Sequence, residues 1–176
     1  MLFVSTQPEL QRSLLGTINV SYNQTLPSVL QAYESGNFVL AAGLTFLVNF
    51  TLSSLVAITL PNMVVPFCGV FVGLVRAMVW GLILAPTQPG LATAMIPHYL
   101  TLILEGQGYI LAMFAAYVHW RAVLKPESVG AATRWSAYKI GLARTGRIYL
   151  LVALVLAVAA IYEAFEVIYI VPLLLH

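Results

Sequence analysis

The sequence predicts an all-α fold, a polytopic transmembrane helix bundle of about five spans. Three observations lead there. Of the 176 residues, 61% are hydrophobic and only 8% are charged, against about a quarter charged in ordinary globular domains. Several apolar runs reach the roughly 20 residues that a helix needs to cross hydrocarbon. Six of the eight Lys and Arg residues fall between residues 121 and 147, the asymmetry of a cytoplasmic loop under the positive-inside rule. A soluble domain of this composition would expose large apolar patches. The net charge of +2 is too small to suggest nucleic acid as a partner. The single cysteine, Cys68, excludes an internal disulfide and a thiolate metal cluster.

Taken in order, residues 1–37 form an N-terminal interfacial or cytoplasmic segment. They begin MLFVSTQPELQR, with Glu9 early and no apolar core of a cleavable leader, so insertion is expected to be directed by the first internal span. Pro8 suits the first turn of a short helix. Leu26, Val29, Leu30 and Tyr33 recur at helical spacing until Ser35-Gly36-Asn37 breaks the pattern. One or two short helices lying at the membrane surface are expected here.

Residues 38–175 make a single transmembrane bundle. Phe38 to Leu60 is the first span, closed by a tight turn at Pro61-Asn62-Met63, because proline ends a helix. Val64 to Ala85 is the second, ending at the Pro- and Gly-rich stretch 86–90. The apolar run 91–124 is interrupted by Glu105-Gly106-Gln107-Gly108. Two glycines and two polar residues in succession mark a broken or kinked helix, or a place where another helix approaches closely. Reading a break there gives two helices and the count of five spans; treating 91–104 as re-entrant gives four. The 121–147 segment mixes Trp120, Trp135 and Tyr138 with Arg121, Lys125, Arg134, Lys139, Arg144 and Arg147, opposed only by Glu127. That is the pattern of an amphipathic helix at the membrane surface over 128–146, able to dock lipid or a partner. Ile148 to Leu175 is the last span. Five spans place the N-terminus in the cytoplasm and the C-terminus outside.

The polar residues inside these apolar runs are the candidates for function. Glu163 and Glu166 lie in the last span, Arg76 near the middle of the second, Asn49 in the first, and His98 and Glu105 in the third apolar run. A charge at such depth costs a few kcal/mol on insertion scales and needs a partner, water or a protein interior. His98 and Glu105 are seven apart and share a face if the helix is unbroken. A structural ion pair involving Arg76 and one of the glutamates, and a site for an ion, a proton or a polar substrate, both fit. No closed set of metal ligands has a diagnostic spacing, no nucleophile motif stands out, and no phosphate-binding loop is present. No enzyme, cofactor or metal is expected. Gly69 and Gly73 form a small-xxx-small pair that permits close helix packing.

The order of these features resembles the stage II sporulation protein M family of small polytopic membrane proteins. The matching residues are Asn49, Pro97, His98, Glu105, Ala112 and Glu163, and the likeness covers roughly residues 37–175. Here Glu105 follows the Pro-His pair by two helical turns, where the family's glutamate often follows by about one. The resemblance implies a non-catalytic membrane scaffold that assembles other proteins, in a bacterial-type inner membrane. The expected partners are the bilayer and other membrane proteins or further copies of the chain. The alternative is a transport component in which Arg76, His98, Glu105 and Glu163 line a site for a small polar substrate, ion or proton.

Overall fold

The computed structural model describes residues 27–85 and 89–175. Expectations for residues 1–26, including the helix at Pro8, and for 86–88 lie outside the described residues. All regular structure among them is helical: α1 (Pro27–Glu34), α2 (Phe38–Val64), α3 (Cys68–Ile83), α4 (Pro89–Leu124) and α5 (Arg134–Leu175). Three stretches are long and apolar enough to cross a membrane: Phe38–Val64, Ala92–Leu124 and Arg134–Leu175, of 27, 33 and 42 residues. Helix α3 is a shorter apolar helix of 16 residues. Large apolar side chains face outward along these helices, among them Phe71 at 68%, Met78 at 70% and Leu150 at 73% exposure.

Local chemistry sets the boundaries. Gly36 adopts a left-handed φ of 67° just after α1, the usual helix stop. Asn37 then caps α2, its Oδ1 accepting from the Leu40 amide at 3.1 Å. The first span does not end at Pro61. Its middle, Val48–Thr59, is π-helical, with i→i+5 bonds that widen the turn. The backbone returns to an α turn at Leu60–Val64 with Pro61 in its first residues, where a missing N–H matters least. The true stop is Pro66. It forces the preceding Val65 into an extended conformation (φ −109°, ψ 120°), and Phe67 follows with φ 59°.

Helix α4 runs without interruption through Glu105-Gly106-Gln107-Gly108. The expected break, and with it the separation of 91–104 from 109–124 into two spans, is corrected. Gly108 instead marks a close approach: a Cβ there would meet the Leu156 side chain at 2.5 Å. A helix hydrogen-bonds its own backbone through two glycines when a neighbour packs against them. The separate surface helix over 128–146 is corrected as well. Pro126–Val129 is a 3-10 turn, Gly130 takes φ 67°, and Thr133 caps α5 by accepting from the Ser136 amide at 3.2 Å. From Arg134 one helix runs straight into the last apolar run. Its basic first turns bury Ala137, Gly141 and Thr145 at four-residue spacing, so they are held against α4.

The described residues fall into two compact units. One comprises residues up to Phe46, Arg76–Ile103, and Ala159 onward. Its core joins Ala32 of α1, Ala41 and Ala42 of α2 and Ala164 of α5, flanked by Tyr33, Phe38, Leu44 and Ile168, and the Tyr33 hydroxyl bonds Thr45 Oγ1 at 2.8 Å. The other comprises Leu47–Val75 and Leu104–Val158. Small residues dominate its core, with Ala112, Ala115, Ala116 and Ala137 fully buried, which lets helix backbones approach. Thr145 donates to the Ala115 carbonyl at 3.3 Å across that contact.

Gly69 makes a close approach to backbone, because a Cβ there would run into the backbone carbonyl of Ile58. We predict that Gly69→Ala destabilises the protein by about 1–3 kcal/mol through overpacking. Gly81→Ala, with nothing within 4 Å of the added carbon, stays level or gains up to about 1 kcal/mol of helix propensity. Thermal unfolding of the two variants in mild detergent checks both.

Candidate functional site

The polar residues singled out in the sequence gather in two places, one in each unit. In the unit of Leu47–Val75 and Leu104–Val158, the Asn49 side-chain amide donates to Glu105 Oε1. The Tyr109 hydroxyl donates to Asn49 Oδ1 at 2.9 Å. Glu105 and Tyr109 are one turn apart on α4, so both reach the same asparagine. The Asn49 amide thus uses its NH₂ toward the carboxyl and its Oδ1 toward the phenol. The π-helix places Asn49. Buried positions Asn49, Ser53, Ser54, Ile58 and Thr59 recur at four to five residues, the spacing of a widened turn. Tyr149 of α5 braces this stretch, donating to the Ser54 carbonyl at 2.8 Å and bonding Thr59.

The second polar group lies in the other unit. His98 Nδ1 hydrogen-bonds Glu166 Oε1. Glu166 is fully buried, and 23% of the His98 side chain is exposed. Glu166 opens a second π-helical stretch, Glu166–Ile170. One turn earlier, the Tyr162 hydroxyl donates to the Pro97 carbonyl at 3.3 Å. Thr101, one turn after His98, is 1% exposed. Thr101 Oγ1 and Glu166 Oε2 are buried without a hydrogen-bond partner.

The other candidates are placed as follows. Arg76 is half-buried and its guanidinium lies over the Trp80 ring, 5.6 Å from the centroid, a cation–π contact one turn along α3. Glu163 is half-buried. Arg121, Lys125, Arg134, Lys139, Arg144 and Arg147 are all exposed. Lys139 covers the Trp135 ring at 5.3 Å, and Trp135 stacks on Tyr138 at 5.6 Å. No group of three or more His, Cys, Asp or Glu that could hold a metal occurs among the described residues.

Three residues carry more structure than their sequence context announced. Asn62 is fully buried. It donates to the Ala116 carbonyl at 3.1 Å, accepts from the Gly69 amide at 3.4 Å, and its own carbonyl accepts from the Trp120 indole. It thus ties α2, α3 and α4 together. Tyr149, as described, braces the π-helix. His119 is fully buried with no hydrogen bond to either ring nitrogen. It packs as an aromatic, edge-on to Tyr138 and Trp120 at 4.5 and 5.7 Å, against the bare backbone of Gly141, where a Cβ would lie 3.0 Å from the His119 carbonyl. A buried-side polar residue with an apolar helix around it was the available signal for Asn62. For Tyr149 and His119 no local signal exists.

Comparison of the chain with protein-family models, with curated proteins and with solved structures finds no match.

The Asn49–Glu105 contact makes a direct prediction. Asn49→Leu removes a donor to a half-buried carboxyl and the acceptor of the Tyr109 hydroxyl, and is expected to cost about 1–3 kcal/mol, the range for losing buried hydrogen-bond partners. Glu105→Gln keeps an oxygen to accept from Asn49 and stays close to wild type. Asn49→Leu with Glu105→Leu recovers much of the loss. Chemical unfolding of the set in detergent reads the coupling.

Proposed function

We propose that the chain is a non-catalytic integral membrane scaffold, an assembly subunit of a membrane protein complex. The observation that carries this reading is how the polar groups of the long helices satisfy one another. Glu105 is met by Asn49, Asn49 by Tyr109, and Asn62 by three neighbours. Such internally satisfied networks fix helix register, which suits a platform. The outward apolar side chains and the exposed cations of 121–147 supply surfaces for lipid and for other proteins. The resemblance to stage II sporulation protein M points the same way and suggests a bacterial-type plasma membrane. The second reading, a transport component, is favoured by one specific observation: the His98–Glu166 pair, whose buried Glu166 Oε2 has no hydrogen-bond partner.

With α4 as one helix, α2, α3, α4 and α5 make four crossings. The basic turn between α4 and α5 then faces the cytoplasm, α1 lies on the opposite side, and the C-terminus is outside.

Two experiments test this. Purification in mild detergent is expected to retain a specific membrane protein at fixed stoichiometry, and the chain alone in liposomes is expected to pass neither protons nor small ions. Protonophore-like flux from the pure chain, abolished by Glu166→Gln, would instead establish transport. For topology, single cysteines are placed on a Cys68→Ser background. Ser28→Cys is expected to react with an impermeant thiol reagent on intact cells, and Ser128→Cys only after permeabilisation. Protection of Ser28→Cys in intact cells would contradict four crossings.

A further inference from the structure

We propose that Arg144 and Arg147 bind the headgroup phosphate of an anionic phospholipid, whose acyl chains lie along Leu151, Leu154 and Val158 of the same helix. The proposal rests on the reading of the chain as an integral membrane protein and narrows the exposed cations of 121–147 to one lipid site.

The placement follows from α5 running on as one helix. Residues at intervals of three and four share a helix face. On the inner face Gly141, Thr145, Tyr149, Val152 and Leu156 are buried. Arg144, Arg147, Leu151, Leu154 and Val158 follow one another at the same intervals on the outer face, and all five are exposed. The three apolar members are 53%, 61% and 47% exposed, an open strip among the described residues. All five belong to the unit of Leu47–Val75 and Leu104–Val158.

The dimensions match one leaflet. From Arg147 to Val158 an α-helix rises about 16 Å, close to half of the roughly 30 Å hydrocarbon core. Arg147 stands where the basic turns meet the apolar run 148–162, which is headgroup depth, and Arg144 is one turn further out. Arg134 lies about 20 Å before Arg147 along the helix axis. Lys139 projects from another face, over the Trp135 ring at 5.3 Å.

Charge selects the lipid. The unit carries Arg121, Lys125, Arg134, Lys139, Arg144 and Arg147 against Glu105 and Glu127. Glu105 accepts from Asn49, and among the described residues no carboxylate pairs with Arg144 or Arg147. Two guanidiniums one turn apart present planar donor forks to the oxygens of one phosphate. The excess of cations repels the trimethylammonium group of phosphatidylcholine and favours a headgroup without positive charge. A water-soluble acidic partner meets the arginines but leaves Leu154 and Val158 bare. A phospholipid engages both ends of the row.

Photo-crosslinking tests the site in place. p-Benzoylphenylalanine replaces Leu154, and the chain is placed in nanodiscs of equal parts phosphatidylglycerol and phosphatidylcholine. Mass spectrometry reads the adducts after irradiation. Capture of phosphatidylglycerol is expected to exceed that of phosphatidylcholine by about tenfold, since each cation near the surface adds several-fold to anionic-lipid association. Arg144→Gln with Arg147→Gln is expected to bring the ratio near one. Arg144→Lys with Arg147→Lys keeps the charge and is expected to keep most of the preference, and Arg134→Gln with Lys139→Gln to leave it unchanged. Equal capture by the chain with both arginines would overturn the proposal, as would an undiminished preference in Arg144→Gln with Arg147→Gln. An equal loss in Arg134→Gln with Lys139→Gln, or an adduct to a second copy of the chain in place of lipid, would overturn it too. In each of those outcomes the integral-membrane reading stands. Capture of neither lipid nor protein at position 154 would overturn both.

Discussion

Hydrocarbon donates no hydrogen bonds, and this chain carries Glu105 and Glu166 on helices long and apolar enough to lie in it. Every polar group there must find its partner within the protein. Much of the architecture follows from that requirement. Glu105 is met by an asparagine whose remaining oxygen is met by a phenol. Glu166 is met by an imidazole. The helices that bring these partners together can approach because alanine and glycine line their contacts.

The backbone yields to the same requirement. Asn49 and Glu166 both sit in π-helical stretches, rare geometry that concentrates at functional positions. Over Val48–Thr59 the widened turn brings a row of small polar residues inward. Such backbone leaves its carbonyls less tightly engaged, and Tyr149 meets one of them at Ser54. Asn62 does comparable service where α2 ends, joining α3 and α4. The two sites differ in completeness. Asn49 has both ends of its amide engaged, whereas Glu166 keeps one oxygen without a hydrogen bond.

The helical class and the apolar cores of two of the three membrane-length segments, read as 38–60 and 148–175, were legible in the sequence, because hydrophobic run length is a local property; the third, Ala92–Leu124, read as two shorter runs. Also legible were the polar positions in those runs and the closeness at Gly69. The boundaries were less legible, since punctuation residues act through context. Pro61 is harmless in the first turn after a change of helical register, while Pro66 ends the helix through Val65. Gly106 and Gly108 read as a break, yet Gly108 is where Leu156 packs. The basic turns from Arg134 read as a surface helix, but Ala137, Gly141 and Thr145 dock on α4 and carry the helix straight on. The pairings were not legible at all. Glu105 and His98 lie seven residues apart on one helix and serve different partners, a choice made by the helices packed against them. The π-helices have no sequence marker beyond the four-to-five-residue spacing of Asn49, Ser54 and Thr59.

Buried polar contacts such as those of Asn49 and Asn62 fix the register of the helices that carry them. The account depends on carboxyl groups whose hydrogen-bond partners lie within the protein. The most direct test is a dipolar-coupling measurement in lipid by solid-state NMR, with nitrogen-15 in the Asn49 side chain and carbon-13 at the Glu105 carboxyl. The account predicts strong coupling at hydrogen-bonding separation, lost in Asn49→Leu. Absence of coupling in the folded wild-type protein would show that Glu105 finds its partner elsewhere and would contradict the account.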